Sequence, residues 1–169
     1  MKKVICFDLD GTLTESKTDI TSEMTNLLAE LQKIKIVAVI GGASFKQFEK
    51  QFLRYITYHT NLCILPTSGA SFYKFEDSKW QEIYKLKLSE DEKQQIFDAF
   101  KKTFIEIKYQ HPTITYGEVI EDRECEVAFS TLGQEAPLSE RLALKYDRRS
   151  EIIKSLHPKV TDFKISLSG

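Results

Sequence analysis

The stretch VICFDLDGT, residues 4–12, constrains this chain more than any other. An apolar run ends at Asp8, and a second aspartate, Asp10, follows one residue later, with Gly11 and Thr12 directly behind it. The run predicts a buried strand over 3–8. In open parallel α/β sheets the crevice for ligands lies beyond the carboxyl ends of the strands, so a strand ending in Asp8-Leu9-Asp10 delivers both carboxylates there. Side by side they repel unless a positive charge intervenes. Mg2+ is the economical solution, since it takes hard oxygen ligands, keeps several waters and needs only one or two protein carboxylates plus a phosphate. Asp8 then stays ionised as a nucleophile, and Asp10 can give a proton to a leaving oxygen and later take one from water. Gly11 permits a tight turn whose amides can hold phosphate oxygens, and the Thr12 hydroxyl can orient Asp10. An Asp-Gly turn with solvated acids is the plainer alternative. At average residue frequencies, D-x-D-G-T on a buried strand arises by chance in roughly one chain in a thousand.

The neighbouring pattern supports a parallel sheet. Thr21 can cap a helix whose Met24, Leu27, Leu28 and Leu31 fall on one face. IKIVAVI, 34–40, reads as a second buried strand ended by Gly41 and Gly42, and Phe45, Phe48 and Phe52 share one face of the helix after it. Strand, helix, strand, glycine turn, helix is the order of an α/β fold with a right-handed crossover.

The second half has another rhythm. Short strands flank a polar turn at Glu76–Ser78, and Ser89 with Glu92 has capping-box spacing ahead of a helix carrying Ile96, Phe97, Phe100, Phe104 and Ile107. Strands are expected on both sides of Arg123, a helix from Ser139 to Leu156, and a last strand in DFKISLSG. We expect an α/β core over 1–78 and an α+β layer over 79–169.

Composition narrows the class. A formal charge of -1 gives no bulk positive field for nucleic acid, and no apolar run approaches the ~20 residues of a membrane span. The three cysteines, Cys6, Cys63 and Cys125, form no CxxC pair and read as core thiols of a cytoplasmic protein. His59, His111 and His157 lack metal-ligand spacing, and KYDRRSEIIK reads as a solvated helix face.

FDLDGTLT (7–14) resembles the first motif of the haloacid dehalogenase (HAD) superfamily of phosphotransferases. With GGASFKQFEKQF (41–52), LPTSGASFY (65–73) and EVIEDRECEVAFSTLGQEAP (118–137), the chain is similar to its type IIB branch, which includes eukaryotic-type phosphomannomutases and related sugar-phosphate phosphatases. The resemblance implies a Rossmann-like core sheet and a type IIB cap closing over a sugar phosphate, and it allows a homodimer through that cap. It implies an aspartyl-phosphate on Asp8, acid/base work by Asp10, and Mg2+ held by Asp8 and the Asp10 carbonyl. Gly11 and Thr12, with Gly42, Ala43 and Ser44, would hold phosphate, although Ser44 serves equally as a helix cap.

The chain departs from the mutase pattern in places. Lys17 stands where an arginine is expected, and Gln134 follows Ser130-Thr131-Leu132-Gly133 where another is expected, while Arg123 is retained. Arginine clamps phosphate by two parallel hydrogen bonds, and lysine and glutamine do not. Weaker clamping of a distal phosphate favours hydrolysis over mutase turnover. By the same resemblance, a lysine and further acids belong downstream of KISLSG, which implies that the C-terminal part of the core and the end of the cap lie outside these 169 residues, and that the 169 residues alone would be inactive. Three readings stand at this point: a Mg2+-dependent sugar-phosphate phosphatase or phosphomannomutase, a phosphosugar-binding remnant without catalysis, and an interaction protein that kept the fold.

Overall fold

Strand β1 (Val4–Asp8) pairs in parallel with β2 (Ile36–Ile40), and β2 with β3 (Leu62–Leu65). The structure, a computed structural model, describes residues 3–15, 18–144 and 147–167. The chain divides into two units, Met1–Lys87 and Leu88–Gly169.

In the first unit, α1 (Ser22–Gln32) connects β1 to β2, and α2 (Phe45–Gln51) connects β2 to β3. Thr21 caps α1, its hydroxyl accepting from Met24 N at 3.3 Å. The hairpin β4 (Ser71–Glu76) and β5 (Lys79–Lys85) extends the sheet antiparallel, in the order β1-β2-β3-β4-β5. Asp77 and Ser78 both take positive φ at its turn. The mostly parallel sheet matches the expected α/β class, but the unit boundary falls later than 78, because β5 is hydrogen-bonded along β4. Leu9, Val37, Val39, Phe48, Phe52 and Ile64 are fully buried at the centre of this core.

Four expectations about this unit need correction. The buried strand expected over 34–40 is β2 over Ile36–Ile40, and Ile34 and Ile36 are exposed. β1 is not fully buried: Val4, Cys6 and Asp8 are exposed, while Ile5 and Phe7 are half-buried. It stands at the end of the sheet, so only β2 flanks it among the described residues. Cys6 is therefore no core thiol; Cys63 is buried and Cys125 half-buried. Leu27 is 59% exposed, and α1 packs through Met24, Leu28 and Leu31 instead.

The second unit is built on α3 (Glu90–Glu106), whose first turn is closed by a complete capping box between Ser89 and Glu92. β6 (Ile120–Asp122) and β7 (Val127–Phe129) form an antiparallel hairpin around Arg123. Ile96, Ala99 and Phe100 pack against Ile152, Leu156 and Val160. The single helix expected over 139–156 is two, α4 (Leu138–Ala143) and α5 (Arg149–Leu156). The break has a local cause: Leu144 is extended, and Asp147 Oδ1 accepts from Arg149 N at 2.9 Å, starting a fresh helix. No strand forms over 162–167; Phe163 and Ile165 pack against the second core without a ladder partner among the described residues. No helix among the described residues is long and apolar enough to cross a membrane.

Candidate active site

Leu9 organises the loop after β1. Its amide continues the pairing with β2, donating to Ile40 O at 3.0 Å, and its side chain is fully buried. Its carbonyl accepts from Leu13 N and Thr14 N, both at 3.0 Å, and from the Thr14 hydroxyl at 3.3 Å. The chain thus winds around one peptide group, with Asp8 exposed and Asp10 half-buried on either side of the buried leucine. Gly11, at φ 80°, makes the reversal and donates to Thr14 O at 2.7 Å. A side chain at that φ would be strained.

The loop after β2 sits beside this one, because Asp8 and Ile40 are register partners on neighbouring parallel strands. A Cβ on Gly41 would stand 3.4 Å from Leu9 Cβ and from the Phe48 ring, at van der Waals contact, which marks how near the two loops lie. Gly42, Ala43 and Ser44 follow, all half-buried. Ser44 caps α2, its hydroxyl accepting from Gln47 N at 3.3 Å. The loop after β3 completes this edge: Thr67 N donates to Ala43 O and Ser68 N to Gly41 O. Thr67, Ser68 and Gly69 all have positive φ.

Sequence reasoning missed the residue that reaches Asp10. The Gln51 amide Nε2 donates to Asp10 Oδ1 at 2.9 Å and to Thr14 Oγ1 at 3.1 Å, while its Oε1 accepts from Gln47 Nε2 at 3.2 Å. Gln51 is 1% exposed. Thr12, expected to orient Asp10, is exposed and gives its amide to Leu9 O at 3.4 Å. One signal did mark Gln51: it lies three residues from Phe48 and one from Phe52, on the buried side of α2, where a polar residue needs a partner.

The remaining candidates lie elsewhere. Lys17 falls outside the described residues. Arg123 and Gln134 belong to the second unit and meet there. Arg123 donates through Nε to Glu121 at 2.5 Å, through Nη1 to Glu126 at 3.0 Å and through Nη2 to Gln134 Oε1 at 3.0 Å. Gln134 Nε2 donates to Ala128 O at 3.4 Å. Gly133, at φ 89°, admits no side chain, since a Cβ would come within 2.1 Å of Tyr116 O.

As a metal site, the β1 loop offers hard oxygen donors only. No group of three or more His, Cys, Asp or Glu is assembled among the described residues. Two aspartates alone suit a cation that keeps most of its waters, as Mg2+ does, better than one needing a full protein cage.

A family model described as haloacid dehalogenase-like hydrolase matches residues 5–162. The chain belongs to this HAD-like hydrolase family, a family of enzymes. Its curated relatives include phosphomannomutases. That of Spinacia oleracea is 27% identical over 172 aligned positions, covering 98% of this chain and 67% of its own length. That of Nicotiana benthamiana is 28% identical over 171, covering 98% and 66%. This HAD chain therefore spans about two thirds of the length of these relatives. Among solved structures, the IMP-nucleotidase of Plasmodium falciparum superposes with a TM-score of 0.60 at 15% identity, over 95% of this chain and 42% of that one. At that identity the likeness is one of fold.

Proposed function

We propose that the protein is a Mg2+-dependent phosphatase of sugar monophosphates, working through an aspartyl-phosphate on Asp8. The observation that carries this reading is the pair of aspartates flanking buried Leu9 at the carboxyl end of β1, beside the Gly41–Ser44 loop. Asp8 and the Asp10 carbonyl would hold Mg2+, which supplies positive charge between Asp8 and the substrate phosphate. An Asp8 carboxylate oxygen attacks phosphorus, the bond from phosphorus to the sugar oxygen breaks, and Asp10 protonates that oxygen. Water then attacks the phosphoryl group, Asp10 takes its proton, and the Asp8–phosphorus bond breaks to release phosphate. Thr12, Gly42, Ala43 and Ser44 hold the phosphoryl oxygens, while Gly11, whose amide donates to Thr14 O, shapes the turn. The second unit supplies substrate recognition as the cap, with Lys17, Arg123 and Gln134 as further substrate contacts. We place the protein in the cytoplasm, with no nucleic-acid or membrane partner.

Phosphomannomutase is the second reading, favoured by relatives of that name aligned along 98% of the chain. Hydrolysis ranks first because the Arg123 guanidinium is already matched by two carboxylates, which leaves less positive charge for a second phosphate. The test is release of phosphate from hexose monophosphates by the complete gene product with Mg2+. Asp8→Asn should lower turnover by several orders of magnitude, because phosphoryl transfer is mostly positioning and charge neutralisation around the nucleophile. Unchanged turnover in that variant excludes the mechanism.

A further inference from the structure

We infer that Gln51 is a positioning residue for the acid/base aspartate: its side-chain amide fixes the orientation of the Asp10 carboxyl. This rests on the reading of Asp10 given above.

The orientation of the Gln51 amide follows from its neighbours. Thr14 gives its hydroxyl proton to Leu9 O, so its oxygen is left to accept, and Gln51 Nε2 donates to it. The same Nε2 donates to Asp10 Oδ1. Gln47 Nε2 donates to Gln51 Oε1 from the other side. A flipped amide would set Oε1 against a carboxylate and against a hydroxyl whose proton is already committed, and would set two NH2 groups against each other. The donor direction therefore runs from Gln47 through Gln51 to Asp10.

The frame behind it is rigid. Gln51 is the last residue of α2, and its carbonyl accepts from Ile20 N at 3.1 Å. The residue is 1% exposed and its helix neighbours Phe48 and Phe52 are fully buried, so rotation away from Asp10 would strand a buried amide. Burying an amide without partners is costly, so the contact with Asp10 is retained through packing.

With Oδ1 held by Gln51 at 2.9 Å, the plane of the Asp10 carboxyl is set, and small misplacements of a reacting group can cost about 100-fold in rate. Gln51 matters most where proton donation matters most, at a poor leaving group such as a sugar alkoxide. It matters little for an aryl phosphate, whose leaving oxygen departs without a proton.

The experiment compares the complete gene product with Gln51→Met, similar in volume but without the amide, on a hexose monophosphate and on p-nitrophenyl phosphate with Mg2+. The expected result is a roughly 10- to 100-fold lower kcat on the sugar phosphate, with KM little changed and the aryl phosphate rate largely kept. The upward shift of the thermal midpoint on adding Mg2+ should be the same in both proteins. Equal losses on the two substrates, as a purely structural role would give, or no loss on either, overturn the inference. If Gln51→Met does not fold, Gln47→Leu frees only the Gln51 Oε1, and it should show the same substrate-selective loss at smaller size; a non-selective effect or none there overturns it. Absence of phosphate release from either substrate by the unsubstituted protein instead removes the phosphatase reading, and this inference with it.

Discussion

Arg123 Nη2 donates to Gln134 Oε1 at 3.0 Å, so two side chains eleven residues apart in the second unit hold each other across the β6–β7 hairpin. Glu121 and Glu126 flank the same guanidinium, which is 13% exposed. A mutase must grip the non-reacting phosphate of a bisphosphate while the sugar reorients, and a guanidinium already matched by two carboxylates grips it less. Given mannose 1-phosphate and a trace of hexose bisphosphate, the complete gene product should release inorganic phosphate faster than it forms mannose 6-phosphate. Efficient isomerisation in that assay would restore the mutase.

Asp10→Asn should separate the two aspartates by degree. Proton transfer contributes about 10²- to 10⁴-fold, so the loss on a sugar phosphate should fall in that range and be smaller than for Asp8→Asn. Steady-state kcat for both variants on one substrate measures the order, and equal losses would contradict the assigned roles.

The α3 cap should be visible in stability. Ser89 Oγ accepts from Glu92 N at 3.2 Å, and Glu92 Oε2 accepts from Ser89 N at 2.7 Å. Ser89→Ala should cost about 1 kcal/mol in urea unfolding. The Ser89 backbone N–H, and then its hydroxyl, hold the Glu92 carboxyl below its ordinary value. A group depressed on folding stabilises above its unfolded pKa, and that support is lost as pH falls through the folded value. Acid should therefore weaken the wild type more than Glu92→Gln.

His59 predicts a second pH dependence with the same sign. It stacks on Phe75 at 4.1 Å, with Trp80 edge-on at 6.0 Å, and burial pushes its pKa down. The unfolded chain binds the proton more readily, so this contribution is complete above about pH 6.5, the unperturbed histidine value, and declines as pH falls through the lower folded value. The thermal midpoint should drop between pH 7.5 and 5, and His59→Phe should flatten that drop. An unaltered slope would show that the imidazole is not responsible.

Much of the first unit could be read from residue pattern because its signals are local. The Thr21 cap, the β-branched run before Gly41 and the phenylalanines of α2 each specify an element within a few residues. Exposure of Val4 and Cys6 could not be read that way: apolar content marks a strand, but burial depends on what lies beside it. The split near Leu144 turned on one side-chain acceptor, Asp147, inside a helical pattern. In the site, Asp8 and Asp10 stood out by spacing, whereas Gln51 reaches Asp10 from 41 residues away. Tertiary packing, not sequence neighbourhood, chose it over Thr12.

Among the described residues β1 lies at the end of its sheet, with Val4 and Cys6 exposed. A bare parallel strand with apolar side chains is a template on which a second molecule can add its own strand, and charged residues along it are what discourage such growth. Lys3 and Asp8 bracket the run, so in any state that leaves this edge uncovered the two charges discourage such pairing. Wherever that edge is uncovered, Asp8→Asn removes one of the two flanking charges and should bring forward the concentration at which the protein begins to scatter light.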